Sequence, residues 1–162
     1  MEYAIKGSRD APQTVLASAF RYSIKTQIRE FKLKAFQGVE HRKCPLTGDK
    51  ITVVDCEVDH EEPQFQDIVL NFMNQYNRVK TWTPLLVDRV SGEDRSAVSF
   101  IDNRITRDFQ SYHKSRARLR VTSKRGNNSR ARGRKRDWSR LVNPMSRRDV
   151  VARPASAFEV SR

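Results

Sequence analysis

Apolar positions in the first third of the chain recur at helical spacing. Phe20, Ile24, Ile28, Phe31 and Ala35 fall three or four residues apart, which predicts one amphipathic helix over 12–36, with Asp10 and Pro12 at its start and Gly38 past its end. Arg21, Lys25, Arg29, Lys32 and Lys34 occupy its other face, suited to water or to a nucleic acid. From 41 to 60 the texture changes to short β-rich runs, 51–54 and 56–58, preceded by the turn Pro45-Leu46-Thr47-Gly48. This pattern predicts a hairpin. Phe65, Ile68, Val69, Phe72 and Tyr76 then line one face of a second helix, which reads as core.

The stretch 81–99 holds Pro84 and Gly92 and has no sustained period beyond a short apolar run at 84–87, so it reads as a connector. A helix over 103–118 follows, with Ile105, Phe109, Tyr112 and Arg116 along one side and Asp102 as its cap. Residues 119–123 alternate like a short strand, and 127–141 read as a basic helix that Gly133 weakens and Pro144 ends. The remainder, 145–162, lacks the apolar content to fold alone and is expected to be a mobile tail.

Apolar residues make up 37% of the 162, enough for one modest core and hence one domain, or one domain with a tail. No stretch approaches the roughly 18 to 20 apolar residues of a membrane-spanning helix, and no signal peptide is visible. Two cysteines, Cys44 and Cys56, make no disulfide framework and read as small buried residues in a reducing, intracellular compartment.

The charge changes the picture more than the composition does. Residues 114–162 carry 16 basic and three acidic residues, the whole of the chain's net +13, while the preceding residues balance. A neutral body with a strongly basic final third is the footprint of a polyanion binder, because Lys and Arg displace counterions condensed on phosphates. DNA is the leading partner and RNA is left open. The blander accounts are a solubilising tail or one lying on an anionic membrane, and the segment has no apolar stripe for the latter.

The chemically dense segment is Cys44-Pro-Leu-Thr-Gly48 followed by Asp59-His60-Glu61-Glu62-Pro63. Alone, an Asp-His pair fits a solvated turn. In a regular strand the two side chains point to opposite faces, so they serve one site only if the chain leaves the strand there, a departure that Pro63 favours. His41, Cys44, Cys56 and His60 also offer two Cys and two His for zinc. Cys56 and His60 are about 13 Å apart in a continuous strand, too far to share one ion, so structural zinc is not expected. Trp82 fits core packing and Trp138 an anchor for the basic helix. No Gly-rich phosphate loop, Ser-His-Asp order or dinucleotide fingerprint is present.

From 44 to 136 the chain resembles the HNH, or ββα-metal, endonuclease superfamily. Its members present Asp-His-x-x-Pro at the end of one strand, then a loop, a second strand and a helix; here Asp59-His60-Glu61-Glu62-Pro63 matches the first part. Arg118-Leu119-Arg120-Val121-Thr122-Ser123-Lys124-Arg125-Gly126-Asn127-Asn128-Ser129-Arg130 matches the second strand and helix. Arg118 stands where the family has its central Asn, a role His113 would take over unless it contacts phosphate, and the paired Cys-x-x-Cys of zinc-stapled members is absent.

The resemblance implies an α+β fold: an N-terminal helical segment over 1–40, a ββα-metal core over 41–136 with an insertion at 64–113, and a basic tail over 137–162. It implies a metal-dependent DNA endonuclease of the kind found in bacteriophages and mobile elements, acting in the cytoplasm of a bacterial or phage-infected cell. Asp59 and Asn127, or Asn128 if the register slips by one, would hold Mg²⁺, with Mn²⁺ as the alternative, and His60 would be the general base. His113, Arg118, Lys124, Arg125, Arg130, Arg132, Arg134, Lys135 and Arg136 would contact the nucleic acid. The rival reading is a non-catalytic basic nucleic-acid-binding protein, either a ribonucleoprotein component or a degenerate nuclease.

Overall fold

The apolar spacing of the first third builds two helices rather than one. In the computed structural model, which describes residues 12–93 and 97–132, α1 spans Pro12–Ser23 and α2 spans Lys25–Ala35. The break falls where the Ser23 hydroxyl donates back to the Ala19 carbonyl at 2.9 Å, a bond that bends helices. The two halves also have different surroundings. Leu16, Ala19 and Phe20 on α1 are fully buried, whereas α2 has no fully buried residue and carries Lys25, Arg29 and Lys34 exposed.

Strand β1 (His41–Lys43) pairs antiparallel with β2 (Lys50–Thr52) around the predicted turn, where Gly48 takes φ +74°, a conformation that L side chains rarely adopt. The hairpin expected over 41–60 thus forms over 41–52 and takes in only the first of the two runs, 51–54; the second, 56–58, is not part of it. The Asp55 carboxylate accepts the Thr52 N–H at 2.6 Å and closes a turn between them, too short for one run to fold back on the other. Strand β3 (Cys56–His60) instead pairs antiparallel with β6 (Leu119–Ser123), from Cys56 opposite Ser123 to His60 opposite Leu119.

Helix α3 (Phe65–Gln75) follows, and the expected connector contains a small sheet, β4 (Val87–Arg89) paired with β5 (Val98–Phe100). Val87, Val98 and Phe100 are buried, so their role is to close the core. Helix α4 (Asn103–Arg116) starts as predicted, with the Asp102 carboxylate accepting the Arg104 N–H at 2.9 Å. Helix α5 (Lys124–Arg132) begins directly after β6, ahead of the expected start at 127. Gly126 therefore lies inside the helix. A Cβ there would meet Leu46 Cβ at 3.1 Å and Cys44 Sγ at 3.3 Å, so its bareness admits the Cys44–Gly48 turn. The rest of the basic helix, Trp138 and the tail lie outside the described residues.

The chain is thus α+β with small antiparallel sheets. Its main core gathers around Phe20, whose ring centroid lies 4.7 Å from Phe109, 4.8 Å from Phe100 and 5.5 Å from Trp82. Such tilted and edge-on pairs add about 0.5–1.5 kcal/mol each beyond the area they bury. A second, smaller cluster, Phe36, Cys44, Ile51 and Cys56, joins the end of α2 to the first hairpin and β3. Among the described residues no helix is long and apolar enough to cross a membrane.

Candidate functional site

Strand order β3, β6 and then α5 brings residues 57–60 and 120–127 together across at least 60 residues of sequence separation. Period-two alternation divides β3 between two faces. Glu57 and Asp59 share one with their partners Thr122 and Arg120; Cys56, Val58 and His60 share the other. The ladder runs through His60, and the Glu61 N–H donates to the Arg118 carbonyl at 2.8 Å. The expected departure from the strand at Asp59-His60 therefore does not occur. The chain turns away after Glu61, through the cis Glu62–Pro63 peptide.

On the first face, Asp59 is 8% exposed, and its Oδ2 accepts from Arg120 Nε at 3.1 Å and Nη2 at 2.9 Å. Arg120 also reaches Glu61 Oε1 at 3.3 Å. One turn into α5, the Asn127 Nδ2 donates to Glu57 Oε2. A carboxylate only accepts, so the donor end of this amide faces Glu57 and Oδ1 points the other way. The Thr122 hydroxyl, opposite Glu57 on β6, is buried without a hydrogen-bond partner among the described residues.

On the second face, His60 Nε2 lies 2.8 Å from His113 Nε2, and His113 Nδ1 lies 2.7 Å from Gln27 Oε1. Burial pushes the His60 imidazole down to about 4, with Asp59 opposing and Arg21 reinforcing the shift. Burial, and then His60 beside it, lowers His113 to about 4 as well. Both rings are neutral near pH 7. His113 is 1% exposed, so the expectation that it contacts phosphate is corrected: it is sealed behind His60 and bound to α2 through Gln27.

The loop after His60 is held in a way the sequence did not suggest. Gln64 Nε2 donates to the carbonyls of His60 at 2.9 Å and Glu61 at 2.7 Å. Arg118, at the position of the family's central Asn, contributes its backbone carbonyl to Glu61 and exposes its side chain. Glu57 and Arg120 were legible in principle, each being on the Asp59 face by alternation. Nothing in the pattern marked Gln27 or Gln64.

Cys44 ties the first hairpin to this unit. Its Sγ accepts the Ser123 N–H at 3.2 Å, while the Ser123 hydroxyl meets Thr47 at 3.0 Å and accepts the Gly126 N–H at 3.1 Å. Burial pushes the thiol up, but hydrogen bonds from Ser123, Thr47 and Leu46 outweigh it and bring it to about 6. Cys56 is buried on β3 and His41 is exposed on β1. Among the described residues, no three His, Cys, Asp or Glu side chains gather closely enough to hold a metal ion.

Of the predicted basic residues, Lys124 and Arg125 are exposed at the start of α5, and Arg125 pairs with Asp49 at 2.7 Å. Arg130 and Arg132 belong to the α5 backbone; their side chains, and Arg134, Lys135 and Arg136, lie outside the described residues. Asn128 is exposed, whereas Asn127 is half-buried against Glu57. No family model, no curated protein and no solved structure matches the chain.

Proposed function

We propose that the protein is a metal-dependent endonuclease that hydrolyses DNA phosphodiester bonds at the end of the β3–β6 ribbon. The observation that carries this reading is the strand, strand, helix order that sets Asp59 and Asn127 on neighbouring elements, with Glu57 orienting the Asn127 amide. The donors suit a hard divalent cation: the Asp59 carboxylate and the Asn127 amide oxygen, which the contact to Glu57 turns away from Glu57 itself. A cation held there would polarise the phosphate and neutralise charge on the departing oxygen. Asp59 and Asn127 would hold it, with Arg120 giving up the Asp59 Oδ2 or reaching across to the phosphate. His60, neutral near pH 7, takes the proton from the attacking water. The exposed Lys124 and Arg125, with the basic segment beyond, hold the backbone without reading bases.

One observation favours a second reading, a nucleic-acid-binding protein that does not cut. Asp59 and His60 occupy opposite faces of the ribbon, each engaged by its own partner. Supercoiled plasmid incubated with the protein and Mg²⁺ separates the two. Nicking by the wild type, reduced roughly 100-fold or more in Asp59→Ala and His60→Ala, supports hydrolysis. Plasmid retardation without nicking by any of the three supports the binder.

A further inference from the structure

A line of ring and amide nitrogens runs behind His60 into the helical layer, and its far end fixes every proton in it. Gln110 Nε2 donates to the Ser23 carbonyl at 2.7 Å, which holds α4 against the end of α1. Gln27 Nε2 donates to the backbone carbonyl of Gln110 at 2.9 Å, so the oxygen of the same amide is the atom that faces His113 at 2.7 Å. An amide oxygen only accepts, so His113 carries a proton on Nδ1. A neutral imidazole has one N–H; His113 Nε2 is therefore an acceptor, and the proton in its 2.8 Å contact with His60 belongs to His60 Nε2. His113 stays neutral because it is 1% exposed, packed beside the rings of Phe109 and His60.

We infer that Gln27 and His113 are positioning residues that hold His60 as its Nε2–H tautomer and so present Nδ1 as its proton-accepting nitrogen. The use of that nitrogen rests on the hydrolase reading above. The Nδ1 lone pair takes a proton from water, and the electron pair of the broken O–H bond stays on oxygen, which bonds to phosphorus. The bond from phosphorus to the departing sugar oxygen breaks with its electrons on that oxygen, which takes a proton from solvent. In this step Gln27 and His113 handle neither the attacking water nor the phosphate. They decide which nitrogen faces them, and a base with its proton on the wrong nitrogen cannot accept.

With three histidines in the chain, ¹⁵N-histidine long-range correlation spectra of the full protein at neutral pH assign each tautomer. The expected result is pyrrole-type Nε2 and pyridine-type Nδ1 at His60, with the reverse at His113. His113→Phe, which keeps a ring but removes the acceptor, should mix the His60 tautomers, and Gln27→Leu should mix those of His113. His113→Gln, whose amide can accept from His60 and donate to Gln27, should restore the wild-type His60 pattern. In the plasmid assay, His113→Phe should lower kcat roughly tenfold or more with KM unchanged, and His113→Gln should recover most of it. An Nδ1–H tautomer at His60 in the wild type overturns the inference whether or not the protein cuts. The expected tautomers in a protein that does not nick plasmid overturn the hydrolase reading and leave the positioning pair standing.

Discussion

The aromatic core around Phe20 and the β3–β6–α5 unit solve different physical problems. In the first, Leu16, Phe20, Phe100 and Phe109 are at most 2% exposed, and the three rings meet edge-on across three separate elements. In the second, the apolar cluster is small and the interior is polar: Asp59, His113, Thr122 and Ser123 are all buried. A polar interior is costly unless its groups are paired; here Arg120 pairs with Asp59 and Gln27 with His113 and His60, while the Thr122 hydroxyl has no partner among the described residues. Stability is concentrated in the aromatic layer. The ribbon spends part of it to fix the orientation of carboxylate, imidazole and amide groups.

The largest break in this comparison comes from the core. Phe109→Ala removes a fully buried ring that touches Phe20, Phe72 and Phe65 and should cost about 3–5 kcal/mol in denaturant unfolding. Acid acts next, and on the ribbon's side. His60 and His113 each bind a proton near about 4 folded and about 6.5 unfolded, so the unfolded chain binds more protons between those values. The contribution of this pair is therefore complete above about pH 6.5 and is lost as pH falls toward about 4, which is read as a falling melting midpoint across that window. The double variant His60→Phe with His113→Phe should flatten the curve in that window. It should leave the lower fall due to Asp49, Asp55 and Asp102, whose carboxyls are held below 3.8. The smallest effect is at the seam between hairpin and helix. Gly126→Ala gains about 1 kcal/mol of helix propensity but crowds Cys44 and Leu46, and a net loss of about 1 kcal/mol is expected from urea titration.

Sequence pattern carried the helical core well, because a buried helix face advertises itself. Ile68, Val69 and Phe72 on α3, and Ile105 and Phe109 on α4, recur at helical spacing, and all five are buried. It also marked β6 and the turn ending at Gly48. It failed where pairing is long-range. Nothing local says that Cys56 opposes Ser123 rather than Ile51, and the near run at 51–54 made the wrong partner look natural. The break at Ser23 was hidden because Ile24 and Ile28 keep the helical period across it. In the candidate site, Asp59, His60 and Asn127 were picked by residue type and spacing, and the structure engages Asp59 with Arg120 on β6, Asn127 with Glu57 on β3 and His60 with His113 on α4. The orienting residues were invisible, since a Gln on a basic helix face and a Gln after a proline have no signature until their partners are known.

The convergence of Asp59 and Asn127 on one cation is the claim from which the rest follows. Titrating the ¹⁵N-labelled protein with substoichiometric Mn²⁺ tests it directly, because the paramagnetic ion broadens the resonances nearest to it. The account expects the Asn127 side-chain amide and the backbone amides around Asp59 to broaden first, the effect to reverse with excess Mg²⁺, and Asp59→Asn to abolish it. Broadening centred on exposed carboxylates such as Glu40 or Glu93, unchanged in Asp59→Asn, would contradict it.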